Sequence, residues 1–257
     1  MMIEFKRMFL GVALAAMTSG AAFANAPPPA PDAVEPTPTE APAPVDPAAA
    51  KAAALAVKER DIGIGDPNAP VKWIEYASAG CPHCADLSIN ILPKLKAEYI
   101  DSGKVYYVLR DFPLDNVAAS VTVVARCLPR DKFYPFMDKL FSTQAQWHGP
   151  DATDPKTVLL GHAAEFGLDE AGVDACFQRQ DLLDQMISGM EEAEKALEIS
   201  STPTSFIGDE TVVGVLPVEK FQEVLDKAIA AKSGGVTPAP TEAPAQSTPE
   251  PAPAATP

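Results

Sequence analysis

Two cysteines separated by two residues, in Cys81-Pro82-His83-Cys84, are the part of this 257-residue chain best suited to chemistry. Cysteine reacts as its thiolate, and a free thiol titrates near ~8.5, so a working cysteine needs surroundings that favour the anion. Pro82 suits a first helical turn, where its missing N–H costs nothing. Cys81 at that helix start meets unsatisfied backbone N–H groups and the positive end of the macrodipole. His83, two residues on, can add a hydrogen bond or a partial positive charge. Cys84 lies one turn inward and is expected to be the buried, resolving thiol. Stabilising the reduced thiolate makes the disulfide of such a pair the stronger oxidant. Zinc ligation or an inert bridge are the other readings of the pair. No second Cys-x-x-Cys and no His pair at ligand spacing accompanies it, so no metal or other cofactor is expected.

The elements around the pair follow from periodicity. Asp66-Pro67-Asn68-Ala69-Pro70 is a turn cluster, and Val71 to Tyr76, β-branched and aromatic, reads as a strand. Trp73 within it is read as core rather than as a substrate contact. Leu87, Ile91, Leu95 and Tyr99 recur at helical spacing after the cysteines, with Pro93 expected to kink that helix. Lys104 to Asp111 is a second strand, so the order is βαβ with a parallel pair. About 85 residues of helical pattern follow, from Leu114 to Ile199. Thr204 to Ile207 and Thr211 to Val213 then read as a hairpin around Gly208-Asp209-Glu210, and Val218 to Lys232 as an amphipathic helix. The fold class is therefore α/β, βαβ separated from ββα by a helical insert at about 114–199.

Composition sets the compartment and the excluded classes. Lys6 and Arg7, the apolar Met8 to Met17 and Ala22-Phe23-Ala24 form a secretory leader over 1–24, with cleavage expected after Ala24. Of the 27 Pro, nine lie in 27–47 and seven in 238–257. The segments 25–57 and 233–257 therefore read as disordered linker and tail around one domain, 58–232. A net charge of −15 argues against a nucleic-acid partner. Outside the cytosol thiols can be oxidised and stay oxidised. The two remaining cysteines, Cys127 and Cys176, are 49 residues apart within the insert. They are expected to form a structural bridge, contributing ~3–4 kcal/mol on the loop-entropy model. Buried free thiols and a second redox pair are the alternatives. His148 and His162 show no partner pattern and are expected at the surface or capping helices.

An exported βαβ–ββα chain with Cys-x-x-Cys at the first strand-to-helix turn resembles a thioredoxin fold. The helical insert, Cys81-Pro82-His83-Cys84 and Thr202-Pro203 just before the hairpin resemble the DsbA-like thiol:disulfide oxidoreductases, over roughly 62–232. That resemblance implies a cis bond at Pro203 beside the active disulfide, with Thr202 pairing with substrate backbone. It implies that Glu75, six residues before Cys81, is the acid that tunes proton transfer for the buried thiol. It further implies a periplasmic enzyme that introduces disulfides into unfolded exported proteins and is reoxidised by a membrane-bound redox partner. A monomer is favoured, since the short segment 48–60 shows no heptad pattern. Two alternatives remain: an isomerase or reductase on the same fold, including oligomeric copper-tolerance relatives, and a non-enzymatic envelope module whose thiolates hold copper or zinc.

Overall fold

The computed structural model of the chain describes residues 46–233. The leader with its cleavage position, the linker up to residue 45 and the tail beyond Ser233 lie outside the described residues. In chain order the elements are α1 (Pro47–Leu55), β1 (Gly63–Ile64), β2 (Val71–Ala77), α2 (Pro82–Asp86), α3 (Leu92–Leu95) and β3 (Val105–Asp111). The insert follows as α4 (Asn116–Cys127), α5 (Phe133–Ser142), α6 (Gln144–Trp147), α7 (Pro155–Glu165), α8 (Glu170–Phe177) and α9 (Gln180–Leu197). The chain returns through β4 (Thr204–Ile207), β5 (Glu210–Val213) and α10 (Val218–Lys232).

The five strands form one sheet in the order β1-β3-β2-β4-β5. β2 runs parallel to β3, in the register Glu75 to Leu109, and antiparallel to β4, in the register Glu75 to Ser205. β2 is thus the central strand, and its side chains are covered on both faces, which a central strand with helices above and below requires. Val71, Trp73 and Ala77 face one core together with Tyr107, Leu109 and Phe221. Ile74 and Tyr76 face a second core with Val108, Phe206 and Ala193 of α9. Trp73 is fully buried, and its indole N–H donates to Ser205 Oγ at 2.9 Å. Where a kink was expected at Pro93, π-helical turns, Leu87–Ile91 and Lys96–Ile100, flank α3. A proline removes one backbone donor from the helix ladder, and widened turns are one way to accommodate that loss.

The ordered domain begins earlier than the boundary at residue 58. α1 is capped by the Asp46 side chain, and its end is held by Arg110 of β3. Arg110 donates to the carbonyls of Ala54 and Ala56, each at 2.6 Å, to Tyr76 Oη at 2.9 Å, and to both carboxylate oxygens of Asp61. A buried guanidinium must satisfy its donors, and here the helix C-terminus supplies two of the acceptors. This Ala-rich helix is therefore anchored through its carbonyls as well as through the buried Ala54 and the partly buried Leu55. His162 also departs from the sequence reading. It is buried, and its Nε2 lies 2.8 Å from Thr143 Oγ1, tying α7 to the end of α5. Among the described residues no helix is long and apolar enough to cross a membrane.

Candidate active site

β2 ends at Ala77, and the chain turns through Ser78-Ala79-Gly80 before entering α2. Cys81 is the N-cap of α2 with extended backbone (φ −84°, ψ 122°), and Pro82 takes the first helical position. Two bonds shape the turn: Cys81 N–H donates to the Ser78 carbonyl at 3.1 Å, and Gly80 N–H to Ser78 Oγ at 3.3 Å. Ser78 is fully buried and also accepts from Leu114 N–H, so one hydroxyl joins the turn to the start of the insert.

Both thiols are free and buried, Cys81 at 5% exposure and Cys84 at 0%. Their surroundings push them in opposite directions. The Cys81 thiol is lowered to about 5, first by a hydrogen bond from the Cys84 thiol, against the opposing effect of its burial, and further by Thr202 and the N–H groups of Cys84 and His83. Burial pushes Cys84 far above the ordinary thiol range, and its bond to Cys81 and the charge on Glu75 add to this. One motif therefore holds a thiolate and a protonated thiol that donates to it.

The loop before β4 closes the site. The Thr202–Pro203 peptide is cis. As a thiol, Cys81 donates to the Thr202 carbonyl at 3.3 Å. The Thr202 hydroxyl is buried and has no partner in that state. Once the sulfur is ionised it can only accept, and the Thr202 side chain then lowers the thiol by donating to it.

Glu75 sits in mid-strand at 1% exposure, not at a solvated strand end. Tyr107 Oη donates to its Oε2 at 2.6 Å. Burial raises the Glu75 carboxyl to about 7, against the lowering effect of the Tyr107 bond, and the charge of Cys81 adds a smaller rise. Tyr107 is itself raised well above the ordinary phenol range, chiefly by burial and then by Glu75, so it stays a donor. Sequence alone offered one signal for Tyr107: it alternates with Val105 and Leu109 on the inward face of β3.

The structure brings Cys81, Cys84, Glu75, Thr202 and Pro203 together. His83 differs from the sequence reading: its imidazole is exposed and makes no hydrogen bond among the described residues, and what reaches Cys81 is its backbone N–H. His148, read as a surface or capping residue, instead lies against the active-site turn. It pairs with Asp115 at 2.9 Å, and a Cβ built on Gly80 would stand 2.6 Å from its Nε2. Gln144, whose side-chain amide donates to the Ala79 and Cys81 carbonyls, carried no signal in the sequence. Cys127 and Cys176 sit apart from this site, where they join α4 to α8 with Cα atoms 5.7 Å apart. Among the described residues no group of three His, Cys, Asp or Glu side chains is placed to hold a metal ion.

Comparison with known proteins agrees with this geometry. The sequence model of a family described as thioredoxin matches residues 57–227. A Rickettsia bellii protein, provisionally named a protein-disulfide oxidoreductase, is 25% identical over 174 residues, 67% of this chain and 66% of its own length. The match thus spans just under two thirds of that relative. Disulfide bond formation protein D of Bacillus subtilis is 22% identical over 181 residues, covering 66% of this chain and 77% of that protein. Among solved structures, alpha-DsbA1 of Wolbachia pipientis superposes with a TM-score of 0.65 at 28% identity, over 70% of this chain and 96% of that one.

Proposed function

This chain belongs to the thioredoxin family, and from that premise we propose that it is an exported thiol:disulfide oxidoreductase that introduces disulfide bonds into newly exported proteins through a Cys81–Cys84 redox pair. The observation that carries the reading is the opposed setting of the two thiols. Cys81 is held as thiolate at the helix start beside Thr202, while Cys84 is buried above a carboxyl raised to about 7.

In the oxidised enzyme a substrate thiolate attacks Cys81 Sγ. The substrate–Cys81 bond forms, the Cys81–Cys84 bond breaks, and the electron pair leaves on Cys84. Cys84 cannot hold that charge in its buried setting and takes a proton; the protonated carboxyl of Glu75 is the donor. A second substrate thiolate then attacks the substrate sulfur of the mixed disulfide, and Cys81 departs as the stabilised thiolate. A low thiol pKa on the leaving sulfur speeds this step and favours the reduced enzyme at equilibrium. Pro82 sets the first turn, His83 contributes its N–H, and Thr202 with Pro203 forms the wall against which substrate backbone lies. The membrane-bound redox partner reoxidises the enzyme. The substrates are unfolded, cysteine-containing proteins in the periplasm, reached after cleavage behind Ala24, and the enzyme acts as a monomer.

The test is the reduction potential of the Cys81–Cys84 pair in a glutathione series, run beside oxidation of a reduced test protein. A potential above roughly −200 mV, with rapid oxidation, is the expected result. A potential near the thioredoxin value of about −270 mV, with no oxidation, assigns the chain to reduction instead.

A further inference from the structure

The insert touches the redox turn at a point the proposed reaction does not use. Gln144, the first residue of α6, directs its side-chain amide at the turn: Nε2 lies 2.7 Å from the Ala79 carbonyl and 3.1 Å from the Cys81 carbonyl. Both partners are obligate acceptors, so the nitrogen, not the oxygen, must face them. The two carbonyls flank Gly80, and a Cβ there would meet the His148 ring. The turn is thus held at both ends by one amide and pressed from one side by an imidazole, both carried by the same short stretch of insert.

That stretch is itself rigidly held. Trp147 is buried and donates to the Leu140 carbonyl at 3.0 Å. Thr143 Oγ1 donates to the Lys139 carbonyl at 2.7 Å and lies 2.8 Å from His162 Nε2. The His148 N–H closes α6 onto the Gln144 carbonyl at 2.8 Å. Gln144 is therefore presented with little backbone freedom to lose, which is what a positioning group requires.

We propose that Gln144 is a positioning residue for the redox pair: by donating to the carbonyls of Ala79 and Cys81 it fixes the orientation of the turn, so that the N–H groups of His83 and Cys84 point at the Cys81 sulfur. The inference rests on the redox reading of Cys81. It assigns the helical insert a part in setting the chemistry, as a brace on the turn that precedes the nucleophile. Gln144 does not touch substrate or sulfur and acts through the backbone.

The experiment compares two substitutions of similar length. Gln144→Met removes the donors, and Gln144→Lys restores N–H donors on a different head group. Gln144 is only half-buried, and thermal melting of each variant verifies the fold. The thiolate absorbance of the reduced protein near 240 nm is followed against pH, and the equilibrium with glutathione is measured alongside. Gln144→Met is expected to raise the Cys81 midpoint by about half to one unit and to shift the glutathione equilibrium about three- to tenfold toward the oxidised enzyme. Gln144→Lys is expected to keep the wild-type midpoint or lower it. If neither variant moves the midpoint, or both raise it equally, the amide does not position the turn and the proposal is wrong. Wild-type protein that fails to oxidise a test substrate overturns the functional reading instead, while the difference between the two variants remains readable.

Discussion

The sheet half and the helical insert each hold a pair of cysteines, and the two pairs have opposite surroundings. Cys81 and Cys84 are neighbours on one turn, with the buried Glu75 carboxyl nearby and the N–H groups of His83 and Cys84 directed at the Cys81 sulfur. Cys127 and Cys176 close a span of 49 residues between the last residue of α4 and the apolar side of α8. Neither of them stands at a helix start: Cys127 ends α4, and Cys176 lies near the end of α8. A disulfide in the first setting opposes a stabilised thiolate and is easily reduced. A disulfide in the second gains from the loop entropy it removes from the unfolded chain. The same bond is a reagent in one place and a brace in the other, and what differs is whether the reduced state is stabilised.

The sharpest way to break that comparison is to remove each pair in turn. Cys81→Ser is expected to reduce oxidation of a reduced test protein to background while leaving the melting temperature of the reduced protein close to wild type. The measurement is substrate oxidation under an excess of oxidised glutathione, with the no-enzyme rate subtracted. Residual turnover above background by this variant assigns the attacked sulfur to Cys84 and dissolves the distinction between the two thiols.

The converse change acts on stability. Replacing Cys127 and Cys176 together by Ser opens the loop and is expected to lower unfolding stability by about 4 kcal/mol, with the reduction potential of Cys81–Cys84 unchanged. Denaturant titration of the oxidised variant gives the first quantity and a glutathione series the second. A shifted potential in the folded variant would show that the bridge tunes the site rather than only the fold. Non-reducing peptide mapping of the mature protein checks the pairing directly, and two free thiols there remove the bridge from the comparison.

How much of this was readable beforehand depended on how local the cause was. The helix start, Pro82 and the thiol spacing lie within four residues, and the sequence placed Cys81 and Cys84 on the correct turn. The parallel β2–β3 pair, the β4–β5 hairpin and the insert followed from periodicity, whereas β1 and the pairing of β2 with β4 did not. Glu75 came from resemblance alone, because its burial is a property of β2 being central between β3 and β4, and one strand does not announce its neighbours. The role of α1 stayed hidden for the same reason: its anchor, Arg110, stands 54 and 56 residues away. Gln144 is 63 residues from the carbonyl of Cys81, in a four-residue helix with no pattern of its own. For His83 the difference runs through the backbone. Its type suggested ring chemistry, whereas a residue at this position of a helix start aims its N–H at the sulfur and turns its side chain to solvent.

A finer test separates the two pairs by pH, because the redox pair has a buried acid beneath it. The Glu75 carboxyl rises from 4.5 to about 7 chiefly through burial. A carboxyl whose folded value exceeds its unfolded one favours the fold fully below the unfolded value, and that contribution is lost as pH rises through the folded value. In the oxidised protein neither member of the redox pair titrates, so the loss should be visible there between about pH 4.5 and 8, with ~3 kcal/mol as its upper limit. Glu75→Gln cannot ionise, yet its amide oxygen still accepts from Tyr107. Its stability should therefore stay flat where the wild type declines, and the gap between the two should widen with pH. The same change removes the proton donor for Cys84, so mixed-disulfide formation at Cys81 should slow several-fold at pH 6, where the wild-type carboxyl is mostly protonated, and by less at pH 8. Denaturant titrations at four pH values and stopped-flow thiol exchange at two are sufficient. Parallel stability curves for the two proteins would mean that Glu75 is ionised throughout, with water or an ion compensating its charge, and the proton for Cys84 must then come from solvent.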